Sequence, residues 1–361
     1  MKPLHLTVAL SAGIFLLGGC SLTNHFLSAK SQAPPSTQSK SATDNFTAAR
    51  QLAWEAAVMV QNPPHPVSIW QQAKSKWQQA IALLETAATE TSSSATTASV
   101  QSREKLPVYR ANYTAIDRRL TTEQAAAGNL QTAQELAWQA AVAVQNPPHA
   151  LNVWQNASRQ WQDAIDLLEK IPKSTFAFAK SQEKLVTYRN NYNTISQHAE
   201  TETQALMTLK QFSETAVRLN SLMTGRLADS TVGPVGISYQ DYSRMVQTME
   251  ASLEQFANQP EVKNHLIYPD LAETVEDHKL AIKLWQSYLD FKKVEPPGPS
   301  NDPLNQLFPV SLPESTLLIR KYGVRTYGNG TQVFLQPTTW AIWQRANQQI
   351  RQAQQKILSL K

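Results

Sequence analysis

Residues 51–85 recur 84 positions later as residues 135–169, identical at 22 of 35 positions and including Gln61-Asn62-Pro63-Pro64-His65 and Gln145-Asn146-Pro147-Pro148-His149. Two stretches this alike must take the same local fold. A short helical unit cannot bury its apolar face alone, so successive copies are expected to stack on one another. The match resumes in another register, from Ser102 through Ile116 onto Ser181 through Ile195, now 79 positions apart, so the first copy carries five extra linker residues.

Within each copy the apolar residues follow the helical period. In the second segment Trp70, Ala73, Trp77, Ile81 and Leu84 are spaced 3, 4, 4 and 3, and Trp154, Ala157, Trp161, Ile165 and Leu168 repeat that spacing. A first helix carries Leu52, Ala53, Ala56 and Val60, echoed by Leu136, Ala137, Ala140 and Val144. It should stop at Asn62 and Asn146, because a residue before proline is driven out of helical torsions. A third helix carries Leu106, Tyr109, Tyr113 and Ile116, matched by Leu185, Tyr188, Tyr192 and Ile195, with Pro107 expected in the first turn of its first copy. The six repeat tryptophans, Trp54, Trp70, Trp77, Trp138, Trp154 and Trp161, fall on these stripes and are expected in the core. With only 11 glycines in 361 residues, and prolines bunched where helices should end, the composition favours helix throughout.

Downstream, helices are expected over 206–226, 239–257 and 271–293, then an extended proline-rich connector over 294–303. Gly328-Asn329-Gly330 between two short β-prone runs, 324–327 and 331–335, reads as a hairpin lying on helices. A last helix follows Pro337, with Trp340, Trp343, Ile350, Ile357 and Leu360 on one stripe. From Arg320 to Lys361 there are seven Lys or Arg and no Asp or Glu, so Arg345, Arg351 and Lys356 are candidates to meet a partner or a membrane surface. The net charge of +5 is too modest to imply nucleic-acid binding.

The chain opens with Lys2, an apolar run from Leu4 to Leu17 too short to span a bilayer, and Leu17-Gly18-Gly19-Cys20. This resembles the bacterial lipoprotein signal. The resemblance implies cleavage between Gly19 and Cys20, a lipid anchor on the Cys20 sulfur, export, and residence on a membrane of the cell envelope. Cys20 is the sole cysteine, so neither an intramolecular disulfide nor a thiolate metal cluster can form. Trp154-x2-Ala157-x3-Trp161-x2-Ala164-Ile165-x2-Leu168, with Ile171-Pro172 and Tyr188-Arg189-x2-Tyr192, resembles tetratricopeptide-type helical hairpins of a kind found in cyanobacterial proteins of unassigned role. That resemblance implies a stacked helical surface that binds a protein partner.

Motifs of known chemistries find blander explanations. Ser102-Lys105 and Ser181-Lys184 have the Ser-x-x-Lys spacing of penicillin-binding enzymes, but the Ser-Asp-Asn and Lys-Thr-Gly elements those sites need are absent. His65 and His149 are related by the repeat and fit packing of a Pro-Pro turn better than zinc, which wants further ligands. No metal and no cofactor is expected. The expected fold is all-α, a duplicated tetratricopeptide-like repeat with a helical C-terminal domain and a small β-hairpin. Its parts are a signal peptide over 1–19, Cys20 and a tether over 20–45, repeats over 46–128 and 129–204, a helical domain over 205–293, and the connector, hairpin and basic helix over 294–361. The expected function is that of a membrane-anchored, non-enzymatic scaffold or adaptor. The alternatives are an envelope hydrolase or polymer-modifying enzyme, and a glycan or small-ligand module, the last requiring solvent-exposed tryptophans.

Overall fold

A computed structural model describes residues 41–90, 97–223, 235–294 and 306–360; the signal, Gly19, Cys20, the tether to residue 40, the extra linker residues and most of the proline-rich connector lie outside them. The fold is all-α. Its helices are α1 (Ala42–Met59), α2 (Val67–Thr89), α3 (Thr97–Ala143), α4 (Leu151–Glu169), α5 (Phe178–Met223), α6 (Tyr239–Ala257), α7 (Tyr268–Val294), α8 (Leu312–Tyr322) and α9 (Leu335–Leu358), with a 3-10 turn at Val262–Asn264. The first helix already starts at Ala42, capped by Ser41, ahead of the boundary expected at Phe46. The Ser41 hydroxyl accepts the Asp44 backbone N–H at 3.2 Å while the Asp44 carboxylate accepts that of Ser41 at 3.3 Å, a reciprocal cap on α1.

The two expected repeat boundaries fall inside continuous helices. The third helix of the first copy and the first helix of the second are one helix, α3, of 47 residues and about 70 Å. Its first part packs Ala98, Tyr109, Ile116 and Leu120 against α1 and α2; its second part packs Ala126, Ala133, Ala137 and Ala140 against α4 and α5. Pro107 therefore lies within a helix, not in its first turn. Likewise α5, 46 residues long, crosses the boundary expected at 204/205.

Each unit is a bundle of three helical segments whose alanines let backbones approach and whose aromatic pairs fill the gap. Trp77 meets Tyr109 edge-on at 5.1 Å, and Trp161 meets Tyr188 at the same separation. After α1 and after α3 the chain turns with Asn62 at φ 57° and Asn146 at φ 58°, a left-handed conformation that asparagine tolerates. Each unit is fastened to the next by a glutamate 79 positions from its counterpart. Buried Glu123 accepts the Phe176 backbone N–H at 2.9 Å and pairs with Arg119 at 2.7 Å, and buried Glu202 meets His265 Nε2 at 3.1 Å.

The residues after 204 form a third unit of the same plan, which the sequence conceals. The Ala126, Leu130, Ala133, Ala137, Ala140 and Val144 row recurs 79 positions on as Ala205, Leu209, Phe212, Ala216, Leu219 and Met223, all buried or packed against the core. Here α6 takes the place of α4, and α7 that of the first part of α5. The basic helix α9 is no appendage, for it packs against both α7 and α5 and completes this unit's core with Trp343 and Ile350. Trp343 is fully buried, and Trp340 is half-buried.

The expected hairpin is only partly formed. Tyr327 and Gln332 make an isolated bridge around the glycine turn, but β2 (Gln332–Phe334) pairs antiparallel with β1 (Leu307–Pro309), which follows the proline-rich connector. That pairing buries Phe308 and Val333 against α7 and α9, an apolar gain the local partner does not offer.

Candidate interaction surface

The four tryptophans of α2 and α4 are buried as the stripes predict, but Trp54 and Trp138 are 62% and 61% exposed. Their helices bury alanine at 53 and 56 and again at 137 and 140, so the close contact falls on those small residues and the adjacent ring is turned outward. One turn on, Val58 and Val142 are also exposed, so the same Trp-Val pair faces solvent in both units. The corresponding position of the third unit, 79 residues beyond Trp138, is Val217, at 67% exposure. An apolar side chain standing in water at one register of three successive units is the feature sequence reading missed. Identity between the copies gives no signal for it, since exposed Gln61, Pro63 and Glu85 are matched just as well by Gln145, Pro147 and Glu169.

The other candidates resolve into structure. Ser102 and Ser181 are in the core, where the Ser181 hydroxyl donates to the Phe178 carbonyl at 2.7 Å, while Lys105 is exposed and Lys184 lies over the Tyr188 ring. His65 places Nε2 2.6 Å from the Gln61 carbonyl and its ring beside Trp70, and His149 packs edge-on against Trp154 at 5.5 Å. Both histidines serve their turns. The repeat also supplies a lid for each Trp, for Arg119 lies over Trp70 at 5.4 Å and its counterpart His198 stacks on Trp154 at 4.6 Å. Among the described residues no group of three or more His, Cys, Asp or Glu side chains is arranged to hold a metal, and no helix is long and apolar enough to cross a membrane.

The basic tail finds its acids on α7. Lys356 pairs with Asp270 at 2.7 Å, Arg345 approaches Glu273 at 3.7 Å, and Lys321 pairs with Asp277 at 2.5 Å and Glu273 at 3.1 Å. Three of the seven cations of the run thus meet acids in space, and of Arg345, Arg351 and Lys356 only Arg351 stands exposed without an ion pair among the described residues. Burial pulls the Lys321 ammonium down, but hydrogen bonds to Asp277 and Glu273 outweigh it and hold its pKa above the ordinary lysine value. Burial, with the Asp277 carboxylate it hydrogen-bonds at 2.7 Å, pushes the Tyr322 phenol up.

Beside this pair runs a buried chain of donors. Trp343 Nε1 donates to the Tyr242 hydroxyl at 2.8 Å, which is then free to donate to His278 Nδ1 at 2.8 Å. Burial lowers the His278 pKa to about 4, so the ring is neutral at physiological pH. The surface above, between α7 and α8, is an open groove lined by Glu276, Lys279, Lys283 and Lys321 whose lysines are all ion-paired.

Comparison with protein-family models, with curated proteins and with solved structures finds no match for this chain.

Proposed function

We propose that the protein is an exported lipoprotein held to a membrane of the cell envelope through Cys20, and that it works as a non-enzymatic scaffold through the outward face of its tandem helical units. The exposed Trp54-Val58 and Trp138-Val142 pairs carry this reading. Apolar rings in water at matched positions are what a binding surface displays before its partner covers them, and tryptophan is among the residues that dominate such contacts. The anchor rests on Leu17-Gly18-Gly19-Cys20 following an apolar run, where acyl chains on the sulfur bury at about 0.8 kcal/mol per methylene.

A glycan-binding role also calls for exposed tryptophans. Here they stand singly on helices of separate units, with no second ring beside either among the described residues to form a platform, which favours a macromolecular partner.

The anchor is tested by replacing Cys20 with Ser in the full chain. The parent should partition with membranes and gain the mass of its acyl chains. The variant should leave the membrane fraction or retain its leader, and unchanged mass and fractionation in the variant would remove the lipoprotein reading.

A further inference from the structure

We propose that the groove between α4 and α5 of the second unit binds a short peptide by its free ends, with Arg159 taking the terminal carboxylate and Glu200 the terminal ammonium. The proposal goes beyond the scaffold reading and uses neither the anchor nor the outward tryptophans.

The groove follows from how the second copy differs from the first. In the first unit Lys74 of α2 reaches across to Asp117 of α3 at 2.6 Å, with buried Leu120 about one turn further along. Their counterparts are Ser158, Ser196 and Ala199, whose short side chains line an open groove of about 410 Å³ between α4 and α5. Thr203 lines it too, in place of the longer Gln124. The rim changes in the opposite sense. Neutral Ser75 and Thr121 of the first unit become Arg159 on α4 and Glu200 on α5, both exposed and both lining the groove. Neither makes an ion pair among the described residues; Arg159 donates to the neutral Asn156 side chain, which leaves its charge uncompensated. A ligand with a charge of each sign completes both.

The floor supplies what a peptide backbone asks for. The Ser158 and Ser196 hydroxyls lie 2.8 Å apart, so one proton serves their mutual bond and the other is left to donate, along with unused lone pairs. Thr203 donates to the Ala199 carbonyl at 2.8 Å and retains its acceptor capacity, and the Gln155 amide, which also lines the groove, both donates and accepts. These groups match backbone N–H and C=O whatever the side chains are.

Helix geometry sets the length. The helices run antiparallel here, since Trp154 stacks on His198 at 4.6 Å and Trp161 meets Tyr188 at 5.1 Å. With Ser158 level with Ser196, Arg159 lies one residue one way along the groove and Glu200 four residues the other. That is about 7 Å along the axes, across a helix separation of roughly 8 to 10 Å. A single amino acid carries both charges on one carbon and spans less than this, whereas two or three residues at about 3.3 to 3.6 Å each fit. A ligand bearing only negative charge would meet Glu200, and a sugar would use neither rim.

The test titrates the purified full chain in detergent with trialanine by calorimetry. Trialanine acetylated at its N-terminus, trialanine amidated at its C-terminus, single alanine and maltose serve as comparisons. Trialanine should bind saturably, each cap should weaken it about tenfold, and alanine and maltose should not compete. Arg159→Gln should lose discrimination against the amide cap alone, and Glu200→Gln that against the acetyl cap alone, a pattern that a merely structural role for either residue would not give. Ser158→Lys with Ser196→Asp installs the ion pair of the first unit and should abolish binding while helical circular dichroism stays as in the parent. If that doubly substituted chain does not fold, the cap discrimination of the two Gln variants decides. No saturable binding of trialanine, equal binding of the capped peptides, or undiminished binding in the folded double variant would overturn the proposal. Alanine or maltose binding as tightly as trialanine would overturn it as well, in favour of a smaller or uncharged ligand.

Discussion

The repeat tryptophans separate into two kinds that their sequence context barely distinguishes. Trp77 and Trp161 fill the gap between α2 or α4 and a facing tyrosine, so changing either to Ala should cost about 3 to 5 kcal/mol in urea unfolding. Trp54→Ala and Trp138→Ala, on the surface, should stay within about 0.5 kcal/mol of the parent. Equal losses at all four positions would show that the outward rings are packed after all. The distinction is hidden because α1 has alanines on more than one side, so its narrow contact stripe can be drawn through several rows. In α2 the stripe is written in Trp, Ile and Leu and admits one reading. A second residue-scale expectation concerns His278, whose depressed pKa means the folded state binds fewer protons than the unfolded chain between about pH 4 and 6.5. Stability from this group is therefore full above pH 6.5 and lost as pH falls toward 4, about 2 kcal/mol between pH 7 and pH 5. Carboxylates held low by ion pairs, such as Glu273 and Glu314, act only at lower pH. Chemical denaturation at the two pH values, with the third unit followed through Trp285 and Trp343, reads the loss. His278→Gln should flatten it, and an equally steep dependence in that variant would place the titration elsewhere.

Among the elements, α3 and β2 show what local sequence conveys and what it omits. The period along α3 is legible on both sides of Gly128-Asn129, two poor helix formers that invite a boundary there. The helix continues because its neighbours on either side, Ala126 and Leu130, each belong to the second core, and packing outweighs a single glycine. Gly128 is exposed with open space where a Cβ would stand, so Gly128→Ala should raise stability by roughly 0.5 to 1 kcal/mol through the unfolded chain's lost freedom. A fall in melting temperature would mean that the helix is interrupted at this point. For β2 the turn chemistry of Gly328-Asn329-Gly330 is visible, but its partner strand is chosen by Phe308 and Val333 meeting over α7, a long-range burial that no local pattern records. The basic tail fails for the same reason, since its acids Asp270, Glu273 and Asp277 are carried by α7, at least 43 residues earlier in the chain than Arg320.

At the scale of the whole molecule, the sequence displays two copies and the fold contains three, because the third kept its buried positions while exchanging Trp154 and Trp161 for Tyr242 and Met249 at the corresponding places on α6. What joins the units is not a linker but shared helix, α3 between the first and second and α5 between the second and third, reinforced by Glu123 and Glu202. In such an array the units are coupled through their interfaces, and a rigid shared helix makes that coupling strong. Gly128→Pro tests this directly. Proline at this position removes the N–H that bonds the Gln124 carbonyl and drives its ring into that oxygen, at a cost of about 3 kcal/mol or more. None of the core contacts of either bundle involves residue 128 itself. The parent should therefore unfold with amides of α1 and α6 losing protection at the same urea concentration. In the proline variant α1 and α2 should open at lower urea than α6 and α7, while small-angle scattering records a bend between the first two units. A variant whose units still unfold together would show that Glu123 and Arg119, not the unbroken backbone of α3, carry the coupling, and Glu123→Gln would then be the change that separates them.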